Sequence, residues 1–333
     1  YTMRLKAVEP VTFNAANIGT FVHYGMEKLV ERLKQENYNY DKYNSAEIQR
    51  FGKEMAKEYL QEQLRAFNRS NRFESLYKRM TTLFCRVAEN VLGELKEGKF
   101  RPYGVEVSLS GNPILLKDGG AVELIGSVDR VDTYEQDGKT YLKVTDYKTG
   151  PKTFDMKGIT NRDNVQLPIY LYGLMKSGRW ENPVPAAGCY MEAQNPAFDK
   201  PVQPDLLEAK LRDFYRRNGA FSADEDALDA LDQAKGSNYF KIRYTKSGDF
   251  YSGTKVYDPA LMQELVDHME TVLKETAEGI RSGNAAAIPL KGHTPDGCTY
   301  CKFAALCGFD AQKSPRREYS DQPFGWRGEE DRQ

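Results

Sequence analysis

No stretch of this sequence approaches the roughly eighteen uninterrupted apolar residues that a membrane-spanning helix needs, and the opening YTMRLKAVEP lacks the charged-then-apolar pattern of an export signal. Net charge is nearly absent too, since 47 Lys and Arg stand against 48 Asp and Glu and leave −1. A surface that attracts nucleic acid everywhere is thereby excluded, so any such contact must be a local basic groove. There is no Gly-x-x-x-x-Gly-Lys-Ser/Thr loop to cradle phosphates, and no ATP hydrolysis by these residues is expected. Cysteine is scarce: five in 333 residues, three of them crowded near the C-terminal end. That distribution suits a metal or cluster site in a reducing cytoplasm better than a disulfide framework, and a cytoplasmic location is expected, with no membrane partner.

What is present is enough apolar residue, 40% of the chain, for a real core. The chain does not begin with Met and opens in an extended segment, so a piece of a longer polypeptide is expected. From Asn17, Val22, Met26, Leu29, Val30 and Leu33 recur at helical spacing, with His23 at the edge of their face. Two more helices are expected over 45–67 and 71–96, closed by Gly98. The period then changes to two, in runs around 105–109, 114–117, 122–133 and 140–147 separated by Asp118-Gly119-Gly120 and Asp137-Gly138, which predicts an antiparallel meander. A helix begins near Asn164 with Pro168 in its first turn, where the missing N–H costs little. Residues 186–192 form a buried strand, 201–234 a charged helical stretch, 239–257 a short hairpin or extended insertion, and 259–282 a long amphipathic helix. Residues 1–310 are expected to be a single domain: a helical part over 1–99, a sheet core over 100–195, an insertion over 196–258, and a C-terminal helix with the cysteine segment over 259–310. A flexible polar tail follows over 311–333.

The chemistry concentrates in the meander. Gly126-Ser127-Val128-Asp129 is expected to end one strand and Asp146-Tyr147-Lys148 the next, so pairing brings the two carboxylates together. Alternation points Asp146 and Lys148 to one face, with the ammonium beside whatever the carboxylates hold. Paired carboxylates are hard ligands for Mg²⁺ or Mn²⁺, and a neighbouring lysine can stabilise charge that develops on a phosphate or orient the attacking water. The plain alternative is a hairpin surface on which Asp129 and Asp146 pair with Arg130 and Lys148. His23 can add a neutral imidazole, its plain alternative being a half-buried residue at a helix edge. Gln166 and Tyr170 share one helix face opposite Leu167, Leu171 and Leu174, so the polar pair can face a cleft. Lys152, Lys157 and Arg162 can meet phosphates there or simply line a solvated loop.

Taken in order, Gly19-x-x-x-His23, Gly126-x-x-Asp129, Asp146-Tyr147-Lys148-Thr149-Gly150 and Gln166-x-x-x-Tyr170 resemble the motif series of the RecB-type PD-(D/E)xK nucleases. The run Cys298-Thr299-Tyr300-Cys301 to Cys307 is similar to the three-cysteine end of that family's iron–sulfur members, the nuclease domains of AddB subunits in AddAB helicase–nucleases. The resemblance spans about residues 19 to 310 and rests on layout alone between 180 and 260. It implies an α/β (mixed α+β) fold, a restriction-endonuclease-like central mixed sheet flanked by helices with a helical N-terminal part. It also implies a metal held by His23, Asp129, Asp146 and the backbone carbonyl of Tyr147, with Lys148 catalytic and Gln166 and Tyr170 supporting the site and touching DNA. The implied role is exonucleolytic DNA end resection in double-strand-break repair beside an AddA-like helicase–nuclease partner. A stand-alone CRISPR-associated RecB-like exonuclease and a catalytically silent DNA- or partner-binding scaffold are the alternatives; the intact Asp129, Asp146 and Lys148 oppose the scaffold.

A [4Fe–4S] cluster needs four thiolates, and the family takes its first from ahead of the region where this chain starts. Cys298, Cys301 and Cys307 then lack their fourth ligand here, and the cluster is expected to be incomplete or absent. Cys85 among Phe84 and Val87, and Cys189 in the buried strand, read as core packing. The competing metal is zinc on His293, Cys298, Cys301 and Cys307.

Overall fold

The computed structural model describes residues 15–62, 71–111, 113–232, 238–291, 297–299 and 301–325. Helix α1 (Ala15–Gln35) buries Phe21, Val22, Met26, Leu29 and Leu33, the apolar stripe its spacing dictates. It lies with α2 (Ser45–Glu62) and α3 (Asn71–Glu97), whose Met80, Leu83, Phe84, Val87, Val91 and Leu95 complete one core. That core covers one face of a six-stranded mixed sheet, reaching Tyr147 and Met191 on it.

The sheet is built from β1 (Arg101–Ser108), β4 (Ser127–Gln136), β5 (Lys139–Lys148), β6 (Pro183–Glu192), β7 (Asn218–Ser222) and β8 (Val256–Tyr257), in that spatial order. Strands β1, β4 and β5 run antiparallel, β5 and β6 are parallel, β6 and β7 antiparallel, and β7 and β8 parallel. Between β1 and β4, the short strands β2 (Pro113–Leu115) and β3 (Ala121–Glu123) pair only with each other, so the expected meander is a three-strand ladder with a separate ribbon. The β4–β5 link is tight because Asp137 and Gly138 both take positive φ, 50° and 72°, the twist that a two-residue hairpin requires.

The parallel step from β5 to β6 needs a crossover. It is made by α4 (Met156–Thr160) and α5 (Gln166–Met175), and the latter buries Leu167, Leu171 and Leu174 against the other face of the sheet. Helix α8 (Pro259–Arg281) lies on the same face and contributes Met262, Leu265, Val266, Met269 and Val272. Its start is fixed by the Asp258 carboxylate, which accepts from the Ala260 N–H at 2.8 Å, with Pro259 at the first helical position.

Three expectations change. Asp129 does not end a strand but lies third in β4; because β4 and β5 form a hairpin, the start of one and the end of the other share an end of the sheet, and Asp129 still meets Asp146. The 201–234 stretch is not uniformly helical: after α6 (Pro204–Tyr215) the chain enters the sheet as β7, and only then forms α7 (Glu225–Leu231). The tail is pinned as far as Gly325. Asn161 donates to the Ser320 carbonyl and accepts from its N–H, both at 2.8 Å, and the Phe324 N–H donates to the Met156 carbonyl at 3.1 Å. A peptide held at both polar groups against a helix end loses the freedom that its composition alone suggests. No helix among the described residues is long and apolar enough to cross a membrane.

Candidate active site

Register places the site. Val105 faces Arg130 and Val107 faces Val128, which sets Glu106 beside Asp129; Arg130 faces Thr145, which sets Asp129 beside Asp146. Three carboxylates therefore form a row across β1, β4 and β5 at one end of the sheet. Arg130, one residue on from Asp129, points to the opposite face and is fully buried against α3, so the surface pairing with Asp129 does not form.

Helix α1 carries His23 over this row. Its Nε2 lies 3.6 Å from Asp129 Oδ2 and its Nδ1 3.3 Å from Glu106 Oε1. The close approach depends on Gly19, one turn earlier, where a β-carbon would meet the Thr149 methyl at 2.9 Å. His23, Glu106 and Asp129 each offer a ligand atom within 4.8 Å of the others. Sequence reasoning missed Glu106. It is held by the Ser127 hydroxyl, which donates to Oε2 at 2.5 Å, and its own φ is +47°.

Asp129 Oδ2 accepts from the Tyr147 N–H at 2.7 Å. Burial pushes its carboxyl up to about 6: the His23 ring opposes the rise, and the neighbouring Asp146 adds to it. Asp146 is likewise raised by burial, against the pull of Lys148. The Lys148 ammonium sits 2.6 Å from Asp146 Oδ2, an oxygen that is buried and makes no well-directed hydrogen bond. Carboxylates crowded out of water with one ammonium beside them resist ionising together unless a further cation joins them. Hard oxygens with one imidazole nitrogen are a donor set for a small divalent ion.

On α5, the Gln166 amide donates to the Tyr170 hydroxyl at 2.7 Å. Burial raises Tyr170 to about 12, with Asp146 and Asp129 adding to the shift. The pair borders a cavity of about 400 Å³ that also holds Lys152 and Asn164. Of the three expected phosphate contacts only Lys152 faces it, because Lys157 pairs with Asp321 at 3.2 Å and Arg162 with Glu275 at 2.5 Å.

Cys85 and Cys189 are buried in separate clusters, while Cys301 and Cys307 are exposed. Among the described residues the one potential metal group is His23, Glu106 and Asp129, and His293 lies outside the described residues. Cys298, Cys301 and Cys307 lie in one short segment, where the Cys301 N–H donates to the Cys298 carbonyl at 3.2 Å and the Cys307 N–H to the Phe303 carbonyl at 2.9 Å.

Comparison with known proteins agrees with this geometry. A family model for the PD-(D/E)XK nuclease superfamily matches residues 1–308. An ATP-dependent helicase/deoxyribonuclease subunit from Desulforudis audaxviator is 29% identical over 324 residues, covering 93% of this chain and 28% of that protein. Proteins of the same name from Natranaerobius thermophilus and Symbiobacterium thermophilum are each 28% identical, covering 92% and 98% of this chain and 27% and 29% of their own lengths. The chain thus spans less than a third of the curated relatives it matches. With a mixed sheet whose strand ends gather Asp129, Asp146 and Lys148, and a match over nearly its whole length, the chain belongs to the PD-(D/E)XK nuclease superfamily.

Proposed function

We propose that this chain is the nuclease domain of a helicase–nuclease subunit, a cytoplasmic DNA phosphodiesterase dependent on Mg²⁺ or Mn²⁺. In this role it degrades a strand exonucleolytically during end resection in double-strand-break repair, beside an AddA-like motor partner. Support comes above all from the carboxylate row, where Asp129 and Asp146 are pushed up by burial and Lys148 stands 2.6 Å from Asp146. The names of the relatives, each a helicase/deoxyribonuclease subunit, agree with it.

His23, Asp129, Asp146 and the Tyr147 carbonyl would hold the ion, with Glu106 as a further oxygen donor or the partner that orients His23. When bound, the ion supplies Lewis acidity and charge neutralisation at the scissile phosphate. Lys148 offsets charge that develops on the reacting phosphate and orients the attacking water. Gln166 and Tyr170 form one hydrogen-bonded unit against the strand that enters the cavity, and Lys152 meets its next phosphate. The C-terminal cysteines take part in none of these steps.

End-labelled single-stranded DNA with Mg²⁺ or Mn²⁺ tests the assignment. Asp146→Ala and Lys148→Ala should each lower cleavage by at least about a hundredfold, the scale for removing one preorganised electrostatic group. Equal cleavage by wild type and both variants would dispose of the site.

A further inference from the structure

Tyr147 lies between Asp146 and Lys148 in β5, but its side chain enters the opposite face of the sheet and is buried. Its hydroxyl accepts from Arg130 Nη1 at 3.3 Å. That guanidinium has no freedom of its own. Nε donates to Asp132 Oδ2 at 3.0 Å, and Nη2 donates to both oxygens of Glu94 at 2.9 Å. Glu94 is fixed in turn by Arg217 at 2.6 Å and by Lys143. The tyrosine ring is thus anchored from behind by a closed ionic cluster, while it packs T-shaped against the His23 ring at 5.7 Å between centroids and 71° between planes. The same residue's N–H holds Asp129 Oδ2 at 2.7 Å.

We infer that the Tyr147 side chain, clamped by Arg130, is a positioning residue of the nuclease site that fixes the His23 ring. The inference rests on the site assignment above. A ring that only filled volume would need no hydroxyl aimed at a buried guanidinium. A ring packed T-shaped against a ligand imidazole restricts that imidazole's rotation, the service that residues behind a metal site perform. His23 has no other aromatic neighbour in ring contact among the described residues.

The test is Mn²⁺ binding to the chain without DNA, followed through the electron paramagnetic resonance of the free ion. Tyr147→Leu, which removes the ring, should weaken Mn²⁺ binding by roughly tenfold, the lower end of what outer partners of metal ligands contribute. Tyr147→Phe, which removes only the hydroxyl, should weaken it by an intermediate amount. In a His23→Ala background the Tyr147 substitution should add less than about twofold, because its route to the ion is gone. If the leucine variant does not fold, the phenylalanine variant completes the same cycle. Wild-type affinity in both Tyr147 variants, or an equal penalty in both backgrounds, would overturn the inference and leave the site standing. A wild-type chain that takes up no Mn²⁺ would remove both.

Discussion

Strands β4 and β5 carry two sets of charges, one on each face, built from the same residue types. On one face Asp129, Asp146 and Lys148 stand at the sheet end with His23 and Glu106. On the other, Asp132 and Lys143 join Glu94, Arg130 and Arg217 in a cluster with essentially no exposure. The electrostatics run in opposite senses. Burial alone would push Glu94 up, but Arg130, Arg217 and Lys143 overcome it and hold the carboxyl far below its usual range. Asp129 has no such company and is pushed up to about 6. A carboxylate surrounded by cations has its charge already answered, whereas one left short of cations can still bind one; completion, not residue type, separates structure from function here.

The comparison breaks most visibly at Glu94. Glu94→Ala leaves Arg130, Lys143 and Arg217 facing Asp132 alone in a sealed interior, and stability should fall by about 3 to 5 kcal/mol, the range for unpairing buried charge. Urea denaturation measures it. A loss below about 1 kcal/mol would mean that water reaches the cluster and that it is not closed.

At the other face the sign reverses. An acid whose folded pKa lies above its unfolded value contributes stability that is complete below the unfolded pKa, near 4, and is lost as pH rises through about 6. Asp129 should therefore cost the metal-free protein about 3 kcal/mol at neutral pH. Asp129→Asn removes that cost while still accepting from the Tyr147 N–H, so it should be more stable than wild type at pH 7 and inactive in cleavage. The advantage should vanish as pH falls below about 4, since both side chains are then neutral. Paired thermal melts across this range check it; an unchanging difference would sink the assigned shift. Glu94, held low, has the opposite sign: its contribution is complete above the ordinary carboxylate range and is lost as pH falls through it, equally in both proteins, so it cancels from the paired difference.

Much of the candidate site's geometry was legible, and for a definite reason. The spacing of Asp146 and Lys148 fixes a shared face by alternation, and Asp137-Gly138 fixes the hairpin that returns Asp146 to Asp129. Gln166 and Tyr170 follow from helical periodicity and do bond each other. Glu106 was not legible because its place depends on how β1 registers on β4, including the shift between Pro102 and Gly104. Nor could the sequence separate Asp132 and Lys143 from the functional set. Alternation says that they lie on the other face, but only the fold shows that Glu94 and Arg217, 123 residues apart, close over them. Strand β7 was hidden because five residues between two helices give too few periods to count.

The mildest test concerns the imbalance inside the closed cluster, where Arg130, Lys143 and Arg217 oppose Glu94 and Asp132. Lys143→Met removes the surplus positive charge. Glu94 keeps both guanidinium partners, and the Lys143 ammonium lies 5.0 Å from the Phe100 ring and 5.4 Å from that of Phe240, surroundings in which a thioether packs well. Against this, Asp132 Oδ1 already makes no hydrogen bond, and Asp132 would be left with Arg130 as its single cation in the cluster. The relief of surplus charge and the weakened Asp132 pairing act in opposite directions at similar scale, so the net loss should be about 1 kcal/mol, well short of the Glu94→Ala loss. A loss as large as that of Glu94→Ala would show that the cluster depends on every cation in it rather than on the glutamate at its centre.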